Sequence, residues 1–197
     1  MYIACHKLFN MGGDMTRIVL ALAAVMVISA GSSDAQMKHV ESGAGFDVGL
    51  VIPDGGLHPT FGWGGLMNFG FDLAGKGELH FFPNIEFWIS GDEHRGFDET
   101  FFEMAVNGDV KYYFPLPKRI TVRPFVGTGF GMIYNYQDFD YGDAGDWDDS
   151  DIGVGANFMG GIDIPFTSSV KGFTEMKGKI GEGPAVLKFT FGMKFLF

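Results

Sequence analysis

The residues best equipped for chemistry sit close together in the first half of the chain. Glu78, His80 and Glu86 recur at even positions among apolar residues, so they share one face of a strand, and Ser90 lies further along that face. An imidazole, two carboxylates and a hydroxyl are the parts of a nucleophilic hydrolase, which needs its serine beside its histidine. Ser90 lies roughly 33 Å from His80 along an extended strand. The spacing therefore assembles no triad and reads His80 as an interior histidine paired with a carboxylate. His39, His58 and His94 fall in a tail or in loops without metal-ligand spacing. No glycine-rich segment carries a Lys-Ser/Thr partner, so no phosphate cradle is expected. The reading includes no catalytic residue and no cofactor.

A second cluster is purely acidic. Asp138, Asp140, Asp143, Asp146, Asp148, Asp149 and Asp151 crowd one segment without a Lys or Arg, interleaved with Tyr136, Phe139, Tyr141 and Trp147. Grouped carboxylates suit a hard cation such as Ca²⁺, but the spacing after Asp138-x-Asp140 is not that of an EF-hand. The expectation is a solvated, self-repelling loop, weakly suited to cations and able to contact a basic partner.

The elements that must carry these residues are strands. The tail Val186–Phe197 places Leu187, Phe189, Phe191, Met193, Phe195 and Phe197 on one face and Lys188, Thr190 and Lys194 on the other. Seven earlier segments repeat this alternation: Ala44–Ile52, Phe61–Leu73, Gly77–Ser90, Phe101–Phe114, Thr121–Tyr136, Asp151–Phe166 and Ser169–Ile180. Pro83 and Pro124 predict bulges or local distortion, since proline donates nothing to a ladder. The connections alternate between short (74–76, 115–120, 167–168) and longer (53–60, 91–100, 137–150, with 181–185 intermediate), the pattern of a membrane barrel with short periplasmic turns.

Eight strands also build lipocalin-like barrels, whose interior is apolar. Here the apolar faces are almost free of charge on every strand, and such stripes would overfill a ligand cavity. The apolar face therefore points to lipid, where only closure satisfies every backbone group. Trp63, Phe101, Tyr112, Phe114, Tyr134, Tyr136, Phe195 and Phe197 fall near strand ends, as an aromatic girdle requires.

Composition agrees. Glycine (31) and phenylalanine (22) are abundant for 197 residues, against about 7% Gly in ordinary proteins. The net charge of −10 argues against a nucleic-acid partner. Arg17 precedes the apolar run Ile18–Ala30 and a small-residue site at Ser33-Asp34-Ala35, which reads as a signal peptide cleaved after Ala35. Met1, Met11 and Met15 are all candidate starts. The single cysteine, Cys5, falls in the leader, so an exported chain without disulfides is expected. The organisation is thus 1–35 leader and signal, 36–43 a short N-terminal periplasmic segment, and 44–197 barrel.

The run Arg123-Pro-Phe-Val-Gly-Thr-Gly-Phe-Gly, the stretch Gly153–Asp163 and the Phe-terminated tail resemble the small outer-membrane β-barrel family that includes OmpX and the OmpA transmembrane domain. The resemblance implies an eight-stranded antiparallel up-and-down transmembrane β-barrel in the outer membrane. It implies contact with outer-membrane lipid including lipopolysaccharide, and a structural or surface-interaction role through outer loops. A small passive porin and a lipid-modifying barrel enzyme are the alternatives. Thr190, Gly192, Phe195 and Phe197 match the terminal signal through which barrels engage the assembly machinery. Inside, Phe82, Trp88, Phe125, Met159 and Phe173 supply bulk. Asp47, Glu86, Glu103, Asp109, Lys111, Arg123, Asp163, Lys171, Glu175 and Lys194 supply a mixed-charge network. Estimated depths group Asp109 with Lys111 and Arg123, Asp163 with Lys171, and Asp47 with Lys194. Glu86 and Glu103 share a level, so one of them needs a cation or a proton.

Overall fold

The computed structural model describes residues 38–74, 76–94, 97–117, 120–140 and 146–197. The proposed leader and cleavage site lie outside the described residues, as does Asp143. Every described element is a strand: β1 (Lys38–Pro53), β2 (Thr60–Asp72), β3 (Glu78–His94), β4 (Phe97–Tyr113), β5 (Arg123–Asp140), β6 (Asp146–Pro165), β7 (Val170–Gly181) and β8 (Val186–Leu196). Each pairs antiparallel with its neighbour in sequence, and β1 closes on β8. Closure leaves no free sheet edge.

The period of two decides what lies inside. Along β8, Val186, Lys188 and Thr190 are buried, while Leu187, Phe189 and Phe191 between them are exposed. Phe191 is 66% exposed and Lys194 only 1%, the inverse of a water-soluble barrel. The same inversion holds on β5 and β6, where Phe130, Met132, Ile152 and Val154 face out. An apolar outer surface of this kind is stable in lipid.

Several strands run past the expected limits. β1 begins at Lys38, so most of the segment expected to precede the barrel is strand, with a register shift between His39 and Glu41. The expected loops 91–100 and 137–150 are largely ladder: β3 and β4 pair out to His94 and Phe97, and β5 and β6 to Asp140 and Asp146. Backbone pairing continues there despite side chains that disfavour strands, because two long neighbours template each other. The link 114–122 is consequently longer than the loop 54–59. The two ends of the barrel differ by strand extension more than by loop length. One, the termini end, holds both ends of the barrel domain; the opposite one is the loop end.

Proline behaves in two ways. Around Pro83 the β2–β3 ladder opens between the pairs Leu66–Asn84 and Phe69–Phe81, without a change of register. Pro124 disturbs nothing in the β5–β6 ladder, where it pairs with Ile162 near the start of its strand.

The interior core falls into two groups. Leu66, Phe82, Tyr113, Phe125 and Phe173 cluster in one. Val51, Trp88, Phe101 and Val186 form the other, near the loop end. Phe101, expected in the outer girdle, is therefore an interior residue: it shares the parity of Glu103 and stacks on Trp88 at 5.0 Å.

Candidate functional site

The lumen is filled by layers of bonded acids, bases and amides. Five of its seven bases stand on two adjacent strands, with Lys171, Lys177 and Lys179 on β7 and Lys188 and Lys194 on β8, while Lys111 is on β4 and Arg123 on β5. Most of their acid partners stand on β1, β3, β4 and β6, so most of the bonds tie strands that share no ladder, Lys188–Asp47 across the β8–β1 closure being the exception.

Near the termini end, Glu41 receives Lys171 and also accepts from Asn68 Nδ2 at 3.0 Å. Arg123 Nη2 lies 2.6 Å from Glu78 Oε2. His80, fully buried, has Nδ1 2.8 Å from Asn68 Oδ1 and Nε2 2.9 Å from Glu78 Oε2. Its ring fits over Gly70, where an added Cβ would come within 2.5 Å of it. Next, Lys194 donates to Asp163 Oδ2 and, at 3.1 Å, to the Tyr113 hydroxyl. Lys111 donates to Glu175 and sits over the Phe82 and Phe125 rings, 4.3 and 4.8 Å from their centroids.

Mid-barrel, Lys177 bridges Glu86 (2.8 Å) and Asp109 (2.7 Å). Asn84, Asn107 and Asn157 complete that layer: Asn84 and Asn157 donate to Asp109, and Asn107 donates to Asn84 Oδ1. Lys188 lies 3.3 Å from Asp47 and 3.5 Å from Glu86. Towards the loop end, Glu103 takes Lys179 on one oxygen and the Trp88 indole N–H on the other, at 3.0 Å.

Every residue expected in the network lies in the lumen, but several partners differ. Asp47 meets Lys188, and Lys194 meets Asp163 instead of Asp47. Lys171 meets Glu41 and not Asp163. Asp109 binds Lys177, while Lys111 and Arg123 go to Glu175 and Glu78. Glu86 and Glu103 are each neutralised by their own lysines. The expected network omits Glu41, Lys177, Lys179 and Lys188, and the expected pairing of an interior His80 with a carboxylate joins it through Glu78. The inward parity they share with its members was the available signal.

The chemistry candidates separate. His80 lies toward the termini end, while Ser90 is near the loop end and donates to the His58 carbonyl at 2.9 Å. The acidic segment is a two-faced ribbon: Asp138 stands opposite Asp148 in the ladder, while Asp149 and Asp151 take the other face. Phe139 stacks on Trp147 at 5.3 Å. Among the described residues no three ligand-type side chains converge on a metal position.

In the terminal strand, Thr190 is buried, Gly192 packs under the Phe173 ring, and Phe195 stacks on Phe46 at 6.3 Å. Phe197 is 81% exposed, with its N–H donating to Ser42 O at 3.0 Å. Outside, Trp63 meets Phe87 edge-on and Tyr112 meets Phe114 likewise.

A closed eight-stranded meander with an apolar exterior and a bonded, charged interior is the fold of the small outer-membrane β-barrels. Solved structures bear this out. The barrel resembles Neisserial surface protein A (TM-score 0.55, 13% identity, covering 79% of this chain and 97% of that one). It also resembles a major outer membrane protein of Thermus thermophilus (0.52, 16%, 79% and 99%). A third similar structure is Ail of Yersinia pestis, in complex with the heparin analogue sucrose octasulfate (0.51, 13%, 80% and 97%). No protein-family model matches the sequence, and no curated protein matches it significantly.

Proposed function

We propose that the chain is an exported protein of the outer membrane whose barrel is a closed, non-enzymatic anchor and whose loop end meets extracellular partners. The observation that carries this reading is the lumen. Among the described residues, eight carboxylates below the mouth (Glu41, Asp47, Glu78, Glu86, Glu103, Asp109, Asp163, Glu175) each pair with one or more of seven bases (Lys111, Arg123, Lys171, Lys177, Lys179, Lys188, Lys194). Eight strands leave an interior just wide enough for side chains. A selective pore would favour one sign of charge along its wall, whereas here acids and bases meet in every layer. The barrel's apolar belt would contact lipid and lipopolysaccharide, and its terminal strand would engage the assembly machinery. The acidic loop end favours basic partners, and would repel sulfated ligands of the kind seen with Ail.

Planar-bilayer recording tests the closed lumen. The purified protein should show little steady conductance. A stable open channel that disappears when lumenal residues are changed would replace this reading with a passive porin.

A further inference from the structure

The loop end of the barrel holds a cup. It encloses about 740 Å³ between loop 54–59, β4, β5 and loop 182–185, with Asp54, Leu57, His58, Glu99, Phe101 and Gln137 in its lining. That volume lies in the range of small-molecule sites. The apolar floor is Phe101, with Leu57 beside it; Trp88 stacks behind the Phe101 ring, and Val51 and Val186 complete the buried cluster that backs it. Beneath it, Glu103 binds both the Trp88 indole and Lys179, so an ion pair seals the floor.

The walls are fixed in advance. Asp54 N donates to Ala185 O and Ala185 N donates to Asp54 Oδ1, both at 2.8 Å, clamping one loop to the other. Ser90 Oγ donates to His58 O at 2.9 Å, and Thr60 Oγ1 to Ile89 O at 2.6 Å. Gly55 and Gly56 make the bend, both at positive φ (78° and 94°). A site built this way loses little ordering entropy when it binds.

The wall chemistry selects the ligand. Its charged groups are the Glu99 and Asp54 carboxylates, and among the described residues no Lys or Arg lines it. Glu99 Oε1 accepts from Gln137 Nε2 at 2.6 Å, which leaves most of the carboxylate's acceptor capacity in hand. An aromatic floor below a carboxylate complements a cationic nitrogen on an apolar body. Sulfates and phosphates are repelled, and a bare divalent ion lacks converging ligands among the described residues.

We propose that this cup binds a small organic cation, an amine or quaternary ammonium carried on an aromatic or apolar body, entering from the loop end. The proposal rests on the surface-interaction reading above and names the ligand class for it.

The test is calorimetric titration of the full-length barrel in lipid nanodiscs with phenethylamine, its neutral isostere 2-phenylethanol, and MgCl₂. The amine should bind saturably, at least about tenfold tighter than the alcohol, as one charge-assisted hydrogen bond provides. Glu99→Gln should remove that preference, and Phe101→Leu should weaken the amine several-fold while the folded band on unheated gels persists. Asp138→Asn with Asp148→Asn, on the ribbon face away from the lumen, should leave affinity within about twofold. Equal affinity for amine and alcohol, unchanged amine binding in Glu99→Gln, or no saturable binding overturns the proposal. Attachment of whole cells to a polylysine surface is measured in parallel. Attachment above that of a strain lacking the barrel, without amine binding, sinks the cup alone. Attachment equal to that strain sinks the surface-interaction reading itself.

Discussion

Lys194 on β8 reaches Asp163 on β6 past the intervening β7, and the same ammonium donates to the Tyr113 hydroxyl on β4. One buried cation thus joins three strands that share no ladder. It also lies over aromatic faces, 5.2 Å from the centroid of Phe82 and 5.4 Å from that of Tyr113. The charge is held by bonds that a hydrophobic side chain of similar length cannot replace one at a time.

Lys194→Met should therefore leave Asp163 buried without its cation and cost about 3–5 kcal/mol, the usual penalty for breaking a buried pair from one side. Lys194→Met with Asp163→Leu should recover most of the loss, since replacing both charges removes the orphan. Urea titration in detergent measures both. A single variant as stable as the parent would show that the pair contributes nothing to the fold.

Gly70 is held small by the His80 ring. Gly70→Val should push against that ring and destabilise the barrel by about 1–3 kcal/mol, as overpacking does. Adding His80→Ala should restore part of it by making room. If the two changes are simply additive in thermal melts, the contact is not the cause.

Changing Phe195 and Phe197 to Ser should lower the yield of membrane-inserted barrel. Both rings project from the outer face of the last strand, so their loss leaves lumenal packing untouched. Fractionation with heat-modifiability gels gives the readout, and wild-type levels of folded protein in the outer membrane would refute the assembly role.

Asp138 and Asp148 face each other in the β5–β6 ladder. Like charges directly opposite are unfavourable, so converting both to Asn should hold or raise stability, by up to about 1 kcal/mol. Neutralising Asp138, Asp140, Asp143, Asp146, Asp148, Asp149 and Asp151 together should keep the barrel folded and weaken binding to basic surfaces. Loss of the folded band would show instead that the ribbon needs its acids.

Parity was legible from the residues alone. Alternation puts Phe189 and Phe191 outside and Lys188 and Thr190 inside, because successive side chains of a strand point to opposite faces. Eight such segments and a charge-free apolar face sufficed for a closed membrane barrel. The position of His80 in the interior beside Glu78 followed from the same rule.

Tertiary structure decided the partners. Alternation says which face a side chain takes but not its height along the axis, which depends on the stagger of each ladder. Asp47 and Lys194 share the lumen, yet the closing ladder sets Asp47 opposite Gly192 and Lys194 opposite Gly45. Lys188, opposite Val51, extends down to Asp47 instead, and Lys194 turns to Asp163. The cup is likewise a tertiary product: Phe101 becomes its floor once β4 pairs out to Phe97, and Asp54 becomes its wall through bonds to Ala185. Only closure brings those distant segments to one mouth.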